Sequence, residues 1–182
     1  DSLLIDTIAV RYADARVSGA ESRASGAGVV DVGGAGTRLV GMALTIESLD
    51  IRTLGAVAKA ADSLTGALTG RVTLDGPTRN LTFHDLWLQH VDGDRARSTV
   101  SGSGRIASDT HTQWLDATLT LDTIAVATLL RDKSELPLRG TAHGTLALRA
   151  TGDTMTIDAT ARADSATAHV TGTTLLDSTR TV

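Results

Sequence analysis

Apolar side chains recur at every second position in many short stretches of this chain, and that spacing constrains its fold more than any other feature. Leu44-Thr45-Ile46, Arg71-Val72-Thr73-Leu74-Asp75 and Leu81-Thr82-Phe83-His84 alternate in this way. So do Leu119-Thr120-Leu121-Asp122, Thr145-Leu146-Ala147-Leu148-Arg149 and Met155-Thr156-Ile157-Asp158. A helix would scatter such a set around its circumference, whereas an extended strand collects it on one face. Gly, Asp, Asn and Pro separate the runs, as in Asp75-Gly76-Pro77 and Gly152-Asp153. Strands of about five to eight residues at spacings of roughly ten predict antiparallel meanders. Composition agrees, with 28 Thr, 18 Asp against 3 Glu, and 15 Arg against 2 Lys. Threonine suits a half-exposed strand and aspartate a turn, while the helix formers Glu and Lys are nearly missing.

The chain also repeats itself. LTIESLDIRTL at 44–54 overlays LTLDTIAVATL at 119–129 with an offset of 75. After one deletion, LTGALTGRVTL at 64–74 overlays LRGTAHGTLAL at 138–148 with an offset of 74. Upstream, LLIDTIAV at 3–10 matches LTFHDLWL at 81–88, and SGAGVV at 25–30 matches SGSGRI at 101–106. Self-similarity at a fixed period marks a repeat array. The units are then the end of one repeat at 1–43, a complete repeat at 44–118 and most of a further one at 119–182. Each carries one segment without strand alternation, at 52–62 and 127–133, which predicts a short helix per repeat with Leu54, Val57, Ala58 and Ala61 on one face. The chain opens on Asp1 and stops in mid-pattern at Val182, which predicts a piece of a longer array.

Several function classes are set aside by what the chain is made of. A length of 182 residues suits one compact domain or a short array. A net charge of −4 leaves no electrostatic footprint for nucleic acid. Cysteine is absent, so there is neither disulfide nor thiol chemistry. No apolar run is long enough to cross a bilayer as a helix, and no leader opens the chain. Aromatics at 2% are too few for the girdles of an outer-membrane barrel and sparse for a sandwich core.

No constellation for catalysis or metal binding stands out. Gly33-Gly34-Ala35-Gly36-Thr37 puts Arg38 where a calcium-binding nonapeptide needs Asp, so it reads as a glycine hinge between strands. His84, His90, His111, His143 and His169 are scattered without metal-ligand spacing, and His84 falls on the polar side of its strand. Asp92-Gly93-Asp94 is followed by Arg95 and Arg97 rather than further carboxylates, which reads as a tight turn. Asn80-Leu81-Thr82 is formally a glycosylation sequon at a strand start, and no G-x-S-x-G elbow occurs. We therefore expect no enzyme, no metal and no cofactor. What remains is a repeated apolar stripe of Leu44, Ile46, Val72, Leu74, Leu81, Phe83, Leu119, Leu121, Leu146, Leu148, Met155 and Ile157. Such a stripe is either the core of a closed two-sheet sandwich or the lining of an open groove. The interleaved Thr45, Thr73, Thr82, Thr120, Ala147 and Thr156 are expected on the opposite, solvent face.

The repeat itself resembles a known family. LPLRGTAHGTLALRATG at 136–152 and LTGALTGRVTLDGPTRNL at 64–81 resemble the L-x-G-x-x-x-G-x-L-x-L-x-G strand pairs of AsmA-like and TamB proteins. LTLDTIAVATLL at 119–130 is similar to the strand and short helix that precede that pair, although Ala150 stands where the other unit has Gly76. The resemblance implies an elongated, curved antiparallel sheet, a repeating β-groove, with those twelve residues lining a lipid groove. It further implies a periplasmic protein anchored in the inner membrane of a diderm bacterium by a region outside this chain. Its partners would be phospholipid acyl chains carried toward the outer membrane, and outer-membrane assembly proteins through further regions. A different class of reading is a non-catalytic adhesive β-repeat that binds protein or glycan through its Thr/Arg face.

Overall fold

The computed structural model describes residues 1–13, 21–34, 36–51, 65–93, 96–108, 113–126, 140–163 and 166–175. These form ten strands: β1 (Ser2–Ala13), β2 (Glu21–Gly33), β3 (Gly36–Asp50), β4 (Ala67–Pro77), β5 (Asn80–Val91), β6 (Arg97–Ser108), β7 (Gln113–Ala125), β8 (Thr141–Thr151), β9 (Thr154–Ala163) and β10 (Ala166–Leu175). All ten lie in one antiparallel sheet whose spatial order is the chain order. It is a meander in which β1 and β10 are the outermost strands among the described residues, and it does not close. Among the described residues there is no helix and no second sheet. The helices expected at 52–62 and 127–133 lie outside the described residues.

Two-residue returns join β4 to β5 and β8 to β9. Gly33 pairs with Gly36 to close the β2–β3 hairpin, so the glycine cluster is a turn. Asp92 and Gly93 follow β5 as expected for a turn, with Asp92 buried and its carboxylate accepting from the Gly93 N–H at 2.7 Å. The two units turn differently where Ala150 replaces glycine. Gly76 takes the left-handed region with φ of 108° at the end of β4, whereas Ala150 stays paired in β8 and Gly152 turns at 59°.

Some ladders share their register with another ladder further along the sheet. Leu3↔Val30, Ile5↔Gly28, Ile8↔Gly26, Val10↔Ala24 and Tyr12↔Ser22 join β1 to β2. Leu81↔Ile106, Phe83↔Gly104, Leu86↔Gly102, Leu88↔Val100 and His90↔Ser98 join β5 to β6 in the same pattern. Both ladders slip at the corresponding place, between Ile5 and Ile8 and between Phe83 and Leu86. Ladders β3–β4 and β7–β8 match likewise, with slips at Ile46/Leu49 and Leu121/Ile124. Even the strand exits repeat. Ser22 Oγ accepts from the Asp50 N–H at 3.3 Å and Ser98 Oγ from the Ala125 N–H at 3.0 Å. The next N–H, of Ile51 or Val126, donates to Gly66 or Gly140.

What holds a one-layer sheet together is visible in where the glycines fall. In β2, β4, β6 and β8 they take apolar-face positions, opposite large side chains of the neighbouring strands. A Cβ on Gly26 would lie 2.6 Å from Leu44 Cδ2, one on Gly70 2.6 Å from Leu88 Cδ2, and one on Gly104 2.6 Å from Phe83 Cζ. Each leucine or phenylalanine thus lies over the bare backbone of the next strand and buries part of itself there. At Gly144 the approach is closer still, because a Cβ would run into the Thr160 carbonyl oxygen. Gly144→Val should therefore destabilise the chain by about 1–3 kcal/mol through forced separation of β8 and β9. Gly172→Ala, whose Cβ meets nothing within 4 Å, should stay within about 0.5 kcal/mol of the parent. Urea denaturation of the two variants checks this, and equal losses would contradict it.

Candidate functional site

Partners across an antiparallel ladder share a face, so the registers locate every residue of the apolar stripe. One row runs Ile8, Gly26, Leu44, Val72 and, beyond the irregularity in β5, continues through Leu86, Gly102, Leu119, Leu146, Ala159 and Val170. The row beside it holds Met42, Leu74, Phe83, Gly104, Ala117, Leu148 and Ile157. A third carries Ile46, Gly70, Leu88, Val100 and Leu121, and a fourth Leu81, Ile106, Leu115, Ala150 and Met155. All twelve stripe residues therefore lie on one face of one sheet, and each of them is half-buried.

The face is wider than the stripe. Leu3, Ile8, Val10 and Tyr12 of β1, Val32 of β2, Ile106 of β6 and Val170 of β10 belong to it and are 47–60% exposed. Met42, Ala117 and Ala150 are its buried points. At the β1–β3 end, Val10, Tyr12, Ala24, Ile46 and Leu49 enclose an open and almost wholly apolar hollow. Alternation alone could not find the glycine positions, since a glycine contributes no apolar side chain to count.

The opposite face is polar. Thr45, Thr82, Thr120 and Thr156 are exposed there as expected. Thr73 and Ala147 are instead half-buried, because Thr73 lies across from His84 and Ala147 is a small side chain between Thr118 and Asp158. Arg71 lies over the Trp87 ring at 5.6 Å and Arg105 over the Trp114 ring at 5.3 Å. Arg149 Nε reaches Asp116 Oδ1 at 3.7 Å, an exposed pair of small energetic value. Thr82, His84, Ser103, Arg105, Trp114, Asp116 and Thr118 outline a shallow depression on this side.

One cluster in that depression was not legible as a unit. His84 Nε2 meets Asp75 Oδ2 and His84 Nδ1 meets Asp85 Oδ2, both at 2.8 Å. Asp75 also accepts the Gly41 N–H at 2.8 Å. The Gly41 backbone sits at φ 56° beside the Leu39/Met42 slip, and Asp85 sits at φ 53° beside the slip between Arg71 and Thr73. The third unit has neither irregularity in its corresponding ladders. The cluster therefore ties together an irregularity in β3 and one in β5 that ladders β7–β8 and β8–β9 lack. Two carboxylates hold the imidazole above its ordinary pKa, the bond to Asp75 contributing most and that to Asp85 next. The Gly41 N–H, and after it His84, hold Asp75 below the usual carboxylate range. With both ring nitrogens on carboxylates, His84 has no lone pair directed at a hydroxyl nucleophile.

Of the other histidines, His169 Nε2 meets Asp158 at 2.9 Å, His90 Nε2 meets the Thr65 carbonyl at 2.6 Å and His143 Nδ1 meets the Asp122 carbonyl. His111 lies outside the described residues. Among the described residues no group of His, Asp and Glu converges to hold a metal ion. In comparisons with known proteins, no family model, no curated protein and no solved structure matches this chain.

The His84 cluster has a defined pH signature. A raised imidazole pKa contributes stability that is fully present below the unfolded value, about 6.5, and is lost as pH rises through the folded value. The lowered Asp75 contributes above the unfolded carboxylate value of about 3.9 and is lost as pH falls through its folded value. The wild-type advantage over His84→Gln should accordingly be largest between about pH 4 and 6.5 and shrink toward pH 9. Paired urea titrations of both chains across that range test it. A difference independent of pH would show that the imidazolium is not what ties the bulges.

Proposed function

We propose that this chain holds lipid acyl chains along its apolar face, as part of a periplasmic AsmA/TamB-like conduit carrying phospholipid between the inner and outer membranes. The observation that carries the reading is the face itself. It is apolar from β1 to β10, and its large side chains are half-buried or exposed in a sheet with no second sheet over it among the described residues. Apolar patches beyond a few hundred Å² mark interaction surfaces on soluble proteins.

The groove form belongs to this reading. Glycines remove bulk from the apolar face at Gly26, Gly70, Gly102, Gly104 and Gly144, and the neighbouring strand closes in on that side. A sheet thinned on one face bends toward it, which would make the apolar face concave. At about 3.3 Å per residue, the span from Leu81 to Leu88 gives a band about 23 Å wide, enough for an extended acyl chain. Each methylene moved from water onto it gains about 0.8 kcal/mol. An open band leaves a charged headgroup in water, which avoids the cost of burying it. Because the lining recurs from unit to unit, a chain moving along it would find neighbouring positions nearly equal in energy.

A second reading takes the polar face as the working surface, in an adhesive module. The depression around Trp114, Arg105 and His84 favours it, since a half-buried ring beside charged donors suits a glycan or a peptide. Substitutions on the apolar face separate the two. Leu74 and Leu148 occupy one row, near the buried points Met42 and Ala117. Leu74→Asp and Leu148→Asp should lower binding of a fluorescent phospholipid about tenfold or more while thermal melting stays near that of the parent. Collapse of melting would make these residues core, and unchanged lipid binding would leave the apolar face without its proposed ligand.

A further inference from the structure

We infer that the depression on the polar face between β5, β6 and β7 is a saccharide-binding site. It takes an uncharged oligosaccharide through Arg105, Asp116, Trp114 and the hydroxyls of Ser103 and Thr118. The depression of the second reading thereby receives a single ligand class. The lipid face lies on the other side of the sheet, so the site does not depend on what that face carries.

The central element is a guanidinium already held in place. Arg105 is exposed, yet its Nε donates to Asn80 Oδ1 and its Cζ lies over the Trp114 ring at 5.3 Å. Trp114 has room to lie there because the residue across from it in the ladder is Ala107. Among the described residues, the two terminal nitrogens of Arg105 have no partner. A fork fixed in this way loses little conformational freedom when its remaining donors are used. Across the same ladder stands Asp116, a half-buried carboxylate with acceptor capacity left beyond its 3.7 Å approach to Arg149. Ser103 and Thr118 face each other one row along, both exposed, and each hydroxyl can donate and accept.

The chemistry of the site selects the ligand. Arg105, Arg149 and protonated His84 face Asp75, Asp85 and Asp116, so no net charge draws an anion or a cation. β5, β6 and β7 each have a further strand of this chain on both sides, so a peptide main chain finds no open edge to pair with. A saccharide uses what remains. Adjacent ring hydroxyls need donors and acceptors side by side, and the C–H face of the ring needs a flat apolar wall, here the indole. At about 500 Å³ the hollow falls within the size range of small-ligand sites.

The test titrates the 182-residue chain with cellohexaose, maltohexaose and chitohexaose by calorimetry. At least one should bind saturably below about 10 mM and shift the Trp114 indole N–H resonance more than that of Trp87. Arg105→Lys keeps the charge and loses the planar fork, so it should weaken that binding about tenfold or more with melting near that of the parent. Arg71→Lys, which alters the Arg–Trp pair outside the depression, should bind as the parent does. Absence of saturable binding of all three up to about 10 mM would overturn the proposal. So would equal binding by Arg105→Lys, a larger shift at Trp87, or heparin binding at Trp114 more tightly than the saccharides, which would make this an anion site.

Discussion

Everything in this sheet depends on large apolar side chains lying over bare glycine backbone across a strand pair. A single antiparallel layer has no second layer to pack against, so its apolar residues can hide only in one another. Leu44 over Gly26, Leu88 over Gly70, Phe83 over Gly104 and Leu119 over Gly102 are the local form of that solution. Glycine in a strand ordinarily weakens it through backbone entropy and the absence of a side chain to pack. Here the neighbour supplies the packing. The outcome is a layer in which apolar groups are half-buried almost everywhere and fully buried almost nowhere, with Met42, Ile51, Ala117, Ala125 and Ala150 as the buried exceptions among the described residues.

The same interaction fixes register, and register is why the repeat is so regular. Sliding a strand by one residue would turn its leucines to the polar face, and sliding by two would set leucine against leucine where glycine is needed. Two of the slips are shared by equivalent ladders, at Ile5/Ile8 with Phe83/Leu86 and at Ile46/Leu49 with Leu121/Ile124. They are therefore part of the unit. The irregularities at Gly41 in ladder β3–β4 and at Asp85 in ladder β4–β5 are missing from ladders β7–β8 and β8–β9, and the Asp75–His84 link holds them in place on the polar face.

Alternation made the strands and the apolar face legible because the period of two admits one extended solution for Leu44/Ile46, Leu81/Phe83 or Leu146/Leu148. The contribution of β2 and β6 to that face was harder to read. Their apolar-face positions hold Gly26 and Gly28 or Gly102 and Gly104, which fall silent in any count of hydrophobic residues. Their role shows only once Leu44, Phe83 and Leu119 are set opposite them. The His84 cluster was hidden for a different reason. Asp75 lies nine residues away across a hairpin, and the contact with Asp85 needs a left-handed backbone that no composition rule assigns to an aspartate in a strand.

A half-buried apolar layer is energetically unfinished, and the proposed lipid ligand would make up the deficit. At about 25 cal/mol per Å², each large side chain left half-exposed retains free energy that a cover would release. A permanently attached second layer would release it once, on folding, and would be expected with aromatic, fully buried fillers, of which there are none among the described residues. A small, replaceable apolar ligand releases it repeatedly and asks only for a smooth, recurring surface. Knob-and-hollow pairing provides one, because leucines folded into glycine hollows stand lower than leucines upright on a flat sheet. The feature that lets one layer hold its shape also levels the track along which an acyl chain would lie, so stability and the proposed lipid function draw on the same residues.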